Sequence, residues 1–566
     1  MPYELTTLAG EKLTGTPWNV YPRPQLRRES FVNLNGNWDF AVSDQAAVPS
    51  KFDRSILVPF CPESQLSGIG EHFAEGSYLF YRRRFANPGG QRVLLHIGAA
   101  DQELTCYLNG EEIGSHQGGY EAMTFDLTAA LREENELILR CKDDLRDQSY
   151  PYGKQVMKRG GMWYTPVSGI WQTVWLEAVP QSYVEELDLQ VTLTEATITV
   201  KPALSGRILC DGVSYPLEQG KAVITPKEPK AWTPENPYLY DFTVEAGEDR
   251  FDSYFALRTL EIKTLKGLPR LCLNGKPYYF HGLLDQGYWP DGLFTPATPE
   301  CYAEDINQAK ALGFNMLRKH IKVEAEEFYY QCDKLGMIVF QDMVNNGRYS
   351  FLRDTVLPTI GLKKRSDIRL HKSRNSRQAF FDGMEETVNR LKNFPCIVYW
   401  TIFNEGWGQF DSDCMYELAK QCDNPRVYDS TSGWFHQTKN DFDSRHVYYG
   451  DLQPQPEKRP LFLSEFGGCA YAVPEHYYAK YASYGYGDCQ NSDEVTVKVR
   501  AAYDRTILPV IEKGACGSIY TQLSDVEEEI NGFYTYDRKV CKVNKEEMLR
   551  LRKEMDTIME RIISKN

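Results

Sequence analysis

The sequence predicts a multidomain protein in which a β-sandwich and an immunoglobulin-like β-sandwich precede a (β/α)8 TIM barrel. Three observations predict this fold class. The chain has 566 residues, enough for two to four domains, and 42% of them are hydrophobic. Short alternating runs separated by turn residues fill the sequence up to about residue 262. After residue 270, strand-like runs alternate with helical segments, so domains are predicted at 1–180, 181–264 and 265–566.

The first predicted domain, residues 1–180, reads as an antiparallel β-sandwich. Its strand-like runs include FVNLNGNWDF, SYLFYRRRF, RVLLHIGA and LTCYLNGEEIG. Asn-Gly and other glycine-rich turns separate these runs, and Asn-Gly tolerates the positive φ values of tight hairpins. We therefore expect consecutive strands to pair through short turns.

The second predicted domain, residues 181–264, continues the same pattern on a smaller scale. Its runs VEELDLQVTL, ATITVKPAL, YLYDFTVEA and YFALRTLEI are short and regularly spaced. Such spacing fits a sandwich of immunoglobulin-like size. The proline-rich segment 226–237 is predicted to be a loop between two strands rather than a linker.

The third predicted domain, residues 265–566, alternates strands with helices. Eight runs are strand candidates: YYFHGLLDQ, FNMLRKH, MIVFQDM, IVYWTIFNE, RVYDSTSG, HVYYG, PLFLSEFGG and GSIYTQLSD. This layout is typical of a (β/α)8 barrel. A doubly wound open sheet is the alternative, but no glycine-rich phosphate-binding turn follows the first strand, so the barrel is favoured.

Charge and hydropathy narrow the classes of partner. A formal net charge of -14 and a pI near 5.3 argue against a surface for nucleic acid or anionic membranes. The first residues lack the basic start and apolar core of a signal peptide, and no apolar run approaches the length that spans a bilayer. We predict a cytoplasmic protein with no nucleic-acid and no membrane partner.

The cysteine and histidine patterns predict neither a metal nor a cofactor. The fourteen cysteines contain no C-x-x-C pair, and Cys396 and Cys516 lie in strand-like runs, so buried thiols in a reducing compartment are expected. A disulfide or zinc framework is the disfavoured alternative. A metal-dependent hydrolase would need clustered ligands, whereas His281, His320 and His446 lie on three separate predicted strands.

Two glutamates end predicted barrel strands in similar contexts. Glu405 closes the apolar run IVYWTIFNE in strand four, and Glu465 lies in PLFLSEFGG in strand seven. Strands four and seven face each other across the barrel mouth, where the active sites of such barrels lie. Paired carboxylates there suit cleavage of a glycosidic bond, and the amide of Asn404 could bind a sugar hydroxyl. The alternative is that each glutamate caps a helix or pairs with an arginine.

Almost the whole chain resembles glycoside hydrolase family 2, which includes β-galactosidases, β-glucuronidases and β-mannosidases. The runs NLNGNW, YLNGEEIGSHQGGY and SGIWQTVWLE resemble the family's jelly-roll sugar-binding-type domain, which precedes an immunoglobulin-like domain and a catalytic barrel. Asn404-Glu405 matches the family's acid/base motif, and SEFGG at 464–468 matches its nucleophile motif. The resemblance implies a retaining mechanism in which Glu405 is the acid/base, Glu465 is the nucleophile, and the carboxyl groups lie about 5–5.5 Å apart.

The resemblance also implies roles for three further residues. Tyr448 matches the family tyrosine that orients the nucleophile, with a packed aromatic as the alternative. Arg318 and His320 match a position where a basic residue and a histidine line the pocket. For both of these residues a purely structural role is the alternative.

Other candidates rest on their position after predicted strands. Asp285, Asp342 and Trp434 follow strands one, three and five, and could reach a sugar. Because an aromatic ring offers an apolar face to a pyranose, Trp289, Trp407 and Trp434 are predicted walls of the site. Any of the three tryptophans could instead belong to the core.

The sugar is less well determined by the sequence. β-Glucuronidases carry an Asn-x-Lys motif near the end of the barrel, and no clear match follows Asp525; the large β-galactosidases continue beyond the barrel and bind cations. Residues 348–377, here called the basic loop, hold nine Lys or Arg against two acids. This loop could reach an anionic substrate, and the alternative is a basic loop that is solvated or contacts another subunit.

These observations predict a retaining exo-β-glycosidase, closest to a β-galactosidase, that acts on a carbohydrate or glycoside substrate. A β-glucuronidase or another hydrolase of anionic β-glycosides is one alternative. A catalytically silent carbohydrate-binding protein is another, although such a protein would be expected to lose one of the two carboxylates. A homo-oligomer is compatible with the sequence.

Overall fold

The structure, a computed structural model, describes residues 4–359, 361–362, 365–448, 458–478 and 484–564. The first part of the chain forms two antiparallel sheets that share a core containing Trp38, Tyr81 and Leu95. One sheet has the order Phe31–Asn33, Val174–Val179, Arg92–Ile97, Met123–Asp126. The other has the order Arg54–Val58, Gly36–Ser43, Tyr78–Ala86, Glu134–Lys142, Glu103–Leu108, Glu111–Gln117. Ala100–Asp101 and Gly169–Ile170 form a small third sheet.

The two Asn-Gly pairs of this sandwich behave differently. Asn109 and Gly110, at φ 53° and 87°, form the predicted tight hairpin between Glu103–Leu108 and Glu111–Gln117. Asn35-Gly36 does not form a hairpin, because the strands on either side of it belong to different sheets. The Asn35 side chain instead accepts a hydrogen bond from the Val174 N–H at 3.0 Å, which ties the crossing chain to the neighbouring sheet.

A second, smaller sandwich follows, with a core of its own. One antiparallel sheet has the order Glu186–Val191, Ala196–Lys201, Lys221–Ile224. The other, also antiparallel, has the order Val213–Leu217, Gly206–Cys210, Tyr240–Ala246, Asp249–Phe255. Leu260–Leu265, Leu268–Leu273 and Lys276–Pro277 then form a three-stranded sheet at the entry to the barrel. The predicted boundary between residues 264 and 265 falls inside the first of these strands, and the domain bounds stay a prediction.

Eight parallel strands form the predicted barrel, and each strand candidate overlaps one of them; Tyr449 and Gly450 of the sixth candidate lie outside the described residues. Barrel strands one to eight are Phe280–Asp285, Met316–Lys319, Ile338–Asp342, Ile397–Asn404, Val427–Ser432, Asp443–Val447, Leu461–Phe466 and Ala515–Tyr520. Strands one and eight pair, and the sheet is nearly closed between strands five and six. There the Tyr428 N–H donates to the Asp441 carboxylate at 2.8 Å.

Helices cover the outside of the barrel. The α-helices of the described chain are Leu8–Glu11, Glu300–Ala311, Glu326–Leu335, Leu357–Thr359, Arg374–Leu391, Ser412–Cys422, Ser492–Ala502, Leu508–Ile511 and Lys545–Ser564. Two 3-10 helices, Gln65–Ser67 and Thr128–Ala130, and two π-helices, Phe351–Val356 and Tyr503–Ile507, complete the helical elements. Strands five and six are joined by a loop, 433–442, without the helix that strict alternation would place there.

Aromatic rings fill the barrel interior. Phe340 stacks on Tyr399 with ring centroids 4.0 Å apart, and Phe280 and Phe462 pack against Phe340. A packed interior leaves space for a ligand only at the mouth, above the carboxyl ends of the strands.

Residues 148–165 of the first sandwich, here called the sandwich arm, reach over this mouth. The Tyr152 N–H donates to the Asn345 carbonyl at 3.1 Å, and the Thr165 N–H donates to Glu527 at 3.0 Å. Trp163 packs edge-on against Trp407, with ring centroids 5.1 Å apart. The arm therefore forms part of the wall around the barrel mouth.

The thiols and the helices bear on two further predictions. All fourteen cysteines are free, and eleven of them are buried, as expected of small apolar thiols. Among the described helices, none has the length and apolar character needed to cross a membrane. The cytoplasmic location and the homo-oligomer stay predictions.

Candidate active site

Glu405 directly follows barrel strand four, whose last residue is Asn404. Its backbone is left-handed, with φ 54°, and its N–H donates to the Ser432 carbonyl of strand five at 3.0 Å. The turn continues through Gly406, where a Cβ atom would lie 2.3 Å from the Phe435 ring. Only glycine fits there, and the turn presents the Glu405 side chain, 22% exposed, to the barrel mouth.

Glu465 lies within strand seven, and its side chain is 6% exposed. One of its carboxylate oxygens accepts a hydrogen bond from Arg318 at 3.1 Å, and the other accepts from the Tyr448 hydroxyl. One oxygen of Glu465 and one of Glu405 lie within 4.8 Å of each other. This upper limit for one pair of oxygens is compatible with the carboxyl separation of about 5–5.5 Å of a retaining pair.

Arg318, 1% exposed, is the centre of the buried network below the two glutamates. Besides Glu465, it donates to the Asp342 carboxylate at 2.9 Å and to the Asn404 Oδ1 at 2.9 Å. The second of these bonds fixes the Asn404 amide with its oxygen inward, so its NH₂ group is available to the cavity. Arg318 thus lies behind the site, where its positive charge faces two buried carboxylates.

Replacing Arg318 with methionine is expected to destabilise the protein by about 3–5 kcal/mol, because Asp342 and Glu465 would remain buried without a countercharge. Urea unfolding followed by circular dichroism measures this change. As a control, Arg550→Met removes an exposed i,i+3 ion pair to Glu547 on the last helix and is expected to cost about 1 kcal/mol or less. Equal costs for the two variants would contradict the assigned role of Arg318.

His320 is buried beside Asp342 and lines the cavity. Its Nδ1 lies 2.7 Å from an Asp342 oxygen, and burial together with the nearby Lys154 lowers the pKa of His320 to about 4. The ring is therefore neutral at pH 7, with its proton on Nδ1, where it is donated to Asp342. The Nε2 atom is left as a hydrogen-bond acceptor.

Tyr448 bonds to Glu465, as the resemblance implied, and lies 3.2 Å from the Thr521 hydroxyl. Its ring stacks on Tyr486 with centroids 3.8 Å apart. Burial and the Glu465 charge raise the pKa of Tyr448 well above its ordinary value. The hydroxyl therefore stays protonated and donates a hydrogen bond to the carboxylate.

His446 is a site residue that the sequence reasoning missed. Its Nδ1 lies 2.7 Å from the Glu405 carboxylate and 3.5 Å from that of Glu465, and its Nε2 lies 3.1 Å from the Ser432 hydroxyl. The available signal was the two-residue spacing of extended chain: His446 is on strand six, and Tyr448, two residues later, lies just beyond its end, so both side chains are expected to point the same way.

A cavity of about 520 Å³, including its open mouth, lies above the two carboxylates. The predicted site residues that line it are His320, Asn404, Glu405, Trp407, Tyr448 and Glu465. Other lining residues were not predicted: Lys154, Met162, Trp163, Leu284, Gln286, Ile321, Tyr349, Tyr484, Tyr486, Thr521 and Glu529. Three of these belong to the sandwich arm, whose contact with the barrel has no local sequence signal.

Five predicted site residues lie outside the cavity lining: Arg318, Asp342, Asp285, Trp289 and Trp434. The Asp285 carboxylate accepts a hydrogen bond from the Lys319 ammonium group at 2.6 Å. Trp289 is 3% exposed and packs under Arg538, which lies 4.1 Å from its ring, so it is a core residue rather than a wall. Trp434 supports the site from behind, since its indole N–H donates to the Glu405 carbonyl at 3.1 Å. Asp342 and Arg318 likewise act from behind the lining.

In the described part of the basic loop, two arginines face one of the loop's own acids, Asp354. Asp354, fully buried, pairs with Arg353 at 2.6 Å and lies 3.7 Å from Arg365. Arg365 also stacks on Phe435 at 4.1 Å, next to the strand-five end. Lys363 and Lys364, which the hypothesis of an anionic substrate also involved, lie outside the described residues.

Comparison with known proteins places this arrangement in a family. Two family models match the chain: "Glycosyl hydrolases family 2, TIM barrel domain" over residues 264–464 and "Glycosyl hydrolases family 2" over residues 181–258. Both matched regions belong to glycoside hydrolase family 2. Its barrel, its preceding sandwiches and its strand-end glutamates occur in the order that the resemblance implied.

Curated relatives of this chain carry two kinds of name. A β-galactosidase of Thermoanaerobacter pseudethanolicus is 24% identical over 433 residues, which cover 70% of this chain and 54% of that protein. A β-glucuronidase of Felis catus is 22% identical over 455 residues, which cover 68% of this chain and 65% of that protein. The chain thus spans between about half and two thirds of the length of these relatives.

Solved structures resemble this chain over nearly its whole length. A β-glucuronidase of Faecalibacterium prausnitzii has a TM-score of 0.69 at 21% identity and covers 95% of this chain and 99% of that one. A β-galacturonidase of Eisenbergiella tayi bound to galacturonate has a TM-score of 0.68 at 16% identity, with the same coverage. At these identities the likeness shows the fold.

Proposed function

We propose that this chain is a retaining exo-β-glycosidase that removes a terminal β-linked sugar by double displacement. The observation that carries the proposal is the pair Glu405 and Glu465, with one oxygen of each within 4.8 Å in a cavity at the barrel mouth. An inverting pair would lie about 6.5–9.5 Å apart to admit a water molecule between them. The sandwich arm closes one side of the mouth, which suits a terminal sugar better than the interior of a long chain.

In the first step Glu465 attacks the anomeric carbon and Glu405 protonates the departing oxygen. Glu465 is positioned to attack because Arg318 and Tyr448 hold its two oxygens with hydrogen bonds. In the second step Glu405 takes a proton from water, and the water oxygen attacks the anomeric carbon and releases Glu465. His446, 2.7 Å from the Glu405 carboxylate, orients this acid/base.

Two polar groups beside the glutamates are suited to bind the sugar ring. The Asn404 NH₂ group, oriented by Arg318, would donate to a hydroxyl next to the scissile carbon, and this contact tightens in the transition state. The neutral His320 would accept a hydrogen bond from a sugar hydroxyl at Nε2. Trp407 offers an apolar wall in the same cavity.

A β-galactoside is the best first candidate for the substrate, and a β-glucuronide or β-galacturonide is the second. A curated β-galactosidase supports the first candidate, and the solved β-glucuronidase and β-galacturonidase support the second. A panel of aryl β-glycosides separates these candidates by kcat/KM. No turnover of any member, together with measurable sugar binding, would instead favour a silent carbohydrate-binding protein.

Zinc is expected to inhibit the enzyme, and EDTA is expected to leave its activity unchanged. Glu405, His446 and Glu465 place three metal-ligating atoms within 4.8 Å of one another, but a cation there would occupy both carboxylates needed for double displacement. Initial rates with added ZnCl₂, and then with EDTA, measure both effects. His446→Asn should weaken zinc inhibition of the residual activity. Loss of activity in EDTA that zinc restores would instead support a metal-dependent hydrolase.

A further inference from the structure

Gln286 is a buried amide that has no partner within the described chain. It follows barrel strand one, is 3% exposed and lines the cavity above Glu465. Among the described residues, neither Oε1 nor Nε2 of its side chain has a hydrogen-bond partner. An unsatisfied buried amide costs stability, so it suggests a partner that arrives with the substrate.

Glu529 lines the same cavity from the loop after strand eight and is also 3% exposed. Its two oxygens accept hydrogen bonds from the Tyr164 hydroxyl of the sandwich arm and from the Asn531 amide at 3.1 Å. Among the described residues no basic side chain forms an ion pair with it. Its neighbour Glu527, in contrast, is paired with Arg159 at 3.2 Å.

We propose that Gln286 and Glu529 form a hydroxyl-binding subsite that selects uncharged β-glycosides over uronides, an inference that rests on the proposed function. A carboxamide can donate to one sugar hydroxyl and accept from its neighbour, which satisfies both free atoms of Gln286. An ionised Glu529 can accept hydrogen bonds but cannot donate them, so it accepts one from a sugar hydroxyl and repels a sugar carboxylate. In a cavity with little water such like-charge repulsion is weakly screened.

Lys154 is the competing feature, because it also lines the cavity and carries a positive charge. Its ammonium group lies 5.8 Å from the Tyr164 ring, and that tyrosine donates its hydroxyl to Glu529. A uronate drawn to Lys154 would therefore enter the same small cavity as the Glu529 carboxylate. Lys154 instead donates a hydrogen bond to a ring hydroxyl of the uncharged sugar.

The first test compares kcat/KM for matched pairs of p-nitrophenyl β-glycosides: galactoside and galacturonide, glucoside and glucuronide, mannoside and mannuronide. The wild type is expected to prefer the uncharged member of its best pair by about a hundredfold or more. Glu529→Gln keeps the shape and removes the charge, and should lower this preference at least about tenfold. Glu528→Gln, the same change on a neighbouring residue outside the cavity lining, should leave the preference unchanged.

The second test uses Gln286→Leu, which removes the amide at similar size. A melting temperature equal to or above that of the wild type is expected, since an unsatisfied buried amide is lost, while kcat/KM falls about tenfold to a hundredfold. A purely structural role for Gln286 would instead lower the melting temperature.

The outcomes separate the subsite from the proposed function. A wild type that prefers uronides, or a Glu529→Gln variant that affects both members of a pair equally, would overturn the subsite; the proposed function would stand if hydrolysis still depended on Glu465. An unchanged kcat/KM in Gln286→Leu would also overturn the subsite. If no pair is hydrolysed and Glu465 is not labelled by a mechanism-based reagent, both proposals fail.

Discussion

Replacing Glu465 with glutamine is expected to abolish hydrolysis of every β-glycoside, by roughly four orders of magnitude or more, because no glycosyl-enzyme can form. The fold should survive, since glutamine keeps the shape of the side chain and can still accept a hydrogen bond from Arg318. Rates on natural and activated substrates, together with a melting curve, measure the two effects.

Labelling tests the same assignment without a variant. An activated 2-deoxy-2-fluoro sugar of the right configuration should trap the intermediate, and mass spectrometry of a digest should place the label on the peptide PLFLSEFGG. A label on any other carboxylate would refute Glu465 as the nucleophile. Arg318→Met should slow labelling, because the nucleophile loses one of the two donors that hold it.

Glu405→Gln is expected to have an effect that depends on the leaving group. Natural substrates should lose about 10²–10⁴-fold in kcat/KM, because an alkoxide does not depart without a proton. A dinitrophenyl glycoside should still form the intermediate quickly, since dinitrophenolate leaves unprotonated. The intermediate should then accumulate, because no base activates the attacking water.

Azide provides the decisive measurement for this variant. A small anion can attack the glycosyl-enzyme without base help, so sodium azide should restore turnover of the dinitrophenyl glycoside and give a β-glycosyl azide. The wild type, with its base in place, should show no such gain. Equal losses on both substrates without rescue would remove Glu405 from the acid/base role.

The barrel and the positions of the two glutamates could be predicted because both depend on local pattern. Each barrel strand is a short apolar run, and a polar residue at its carboxyl end must reach the mouth. Glu405 and Glu465 follow this rule, and their side chains do meet. Trp289, four residues beyond the end of strand one, lies in the core instead, because a position after a strand does not say which way a loop residue turns.

The remainder of the site depends on contacts between segments distant in the chain. His446 becomes a neighbour of Glu405 only when strands four and six are both placed. Gln286 and Glu529 meet in one cavity from opposite ends of the barrel sequence, and no spacing in either segment indicates this. Asn35-Gly36 shows the same limit on a small scale, since a turn-forming pair can also join two sheets.

The sandwich arm ties the specificity of the barrel to another part of the chain. Lys154 and Trp163 line the cavity, and Tyr164 holds the Glu529 carboxylate, yet all three residues come from the first sandwich. A recombination event that exchanged this sandwich for that of a relative would also exchange one wall of the pocket. Evolutionary selection for a particular sugar specificity therefore acts on the first sandwich and the barrel together, and the two are expected to be inherited as a unit.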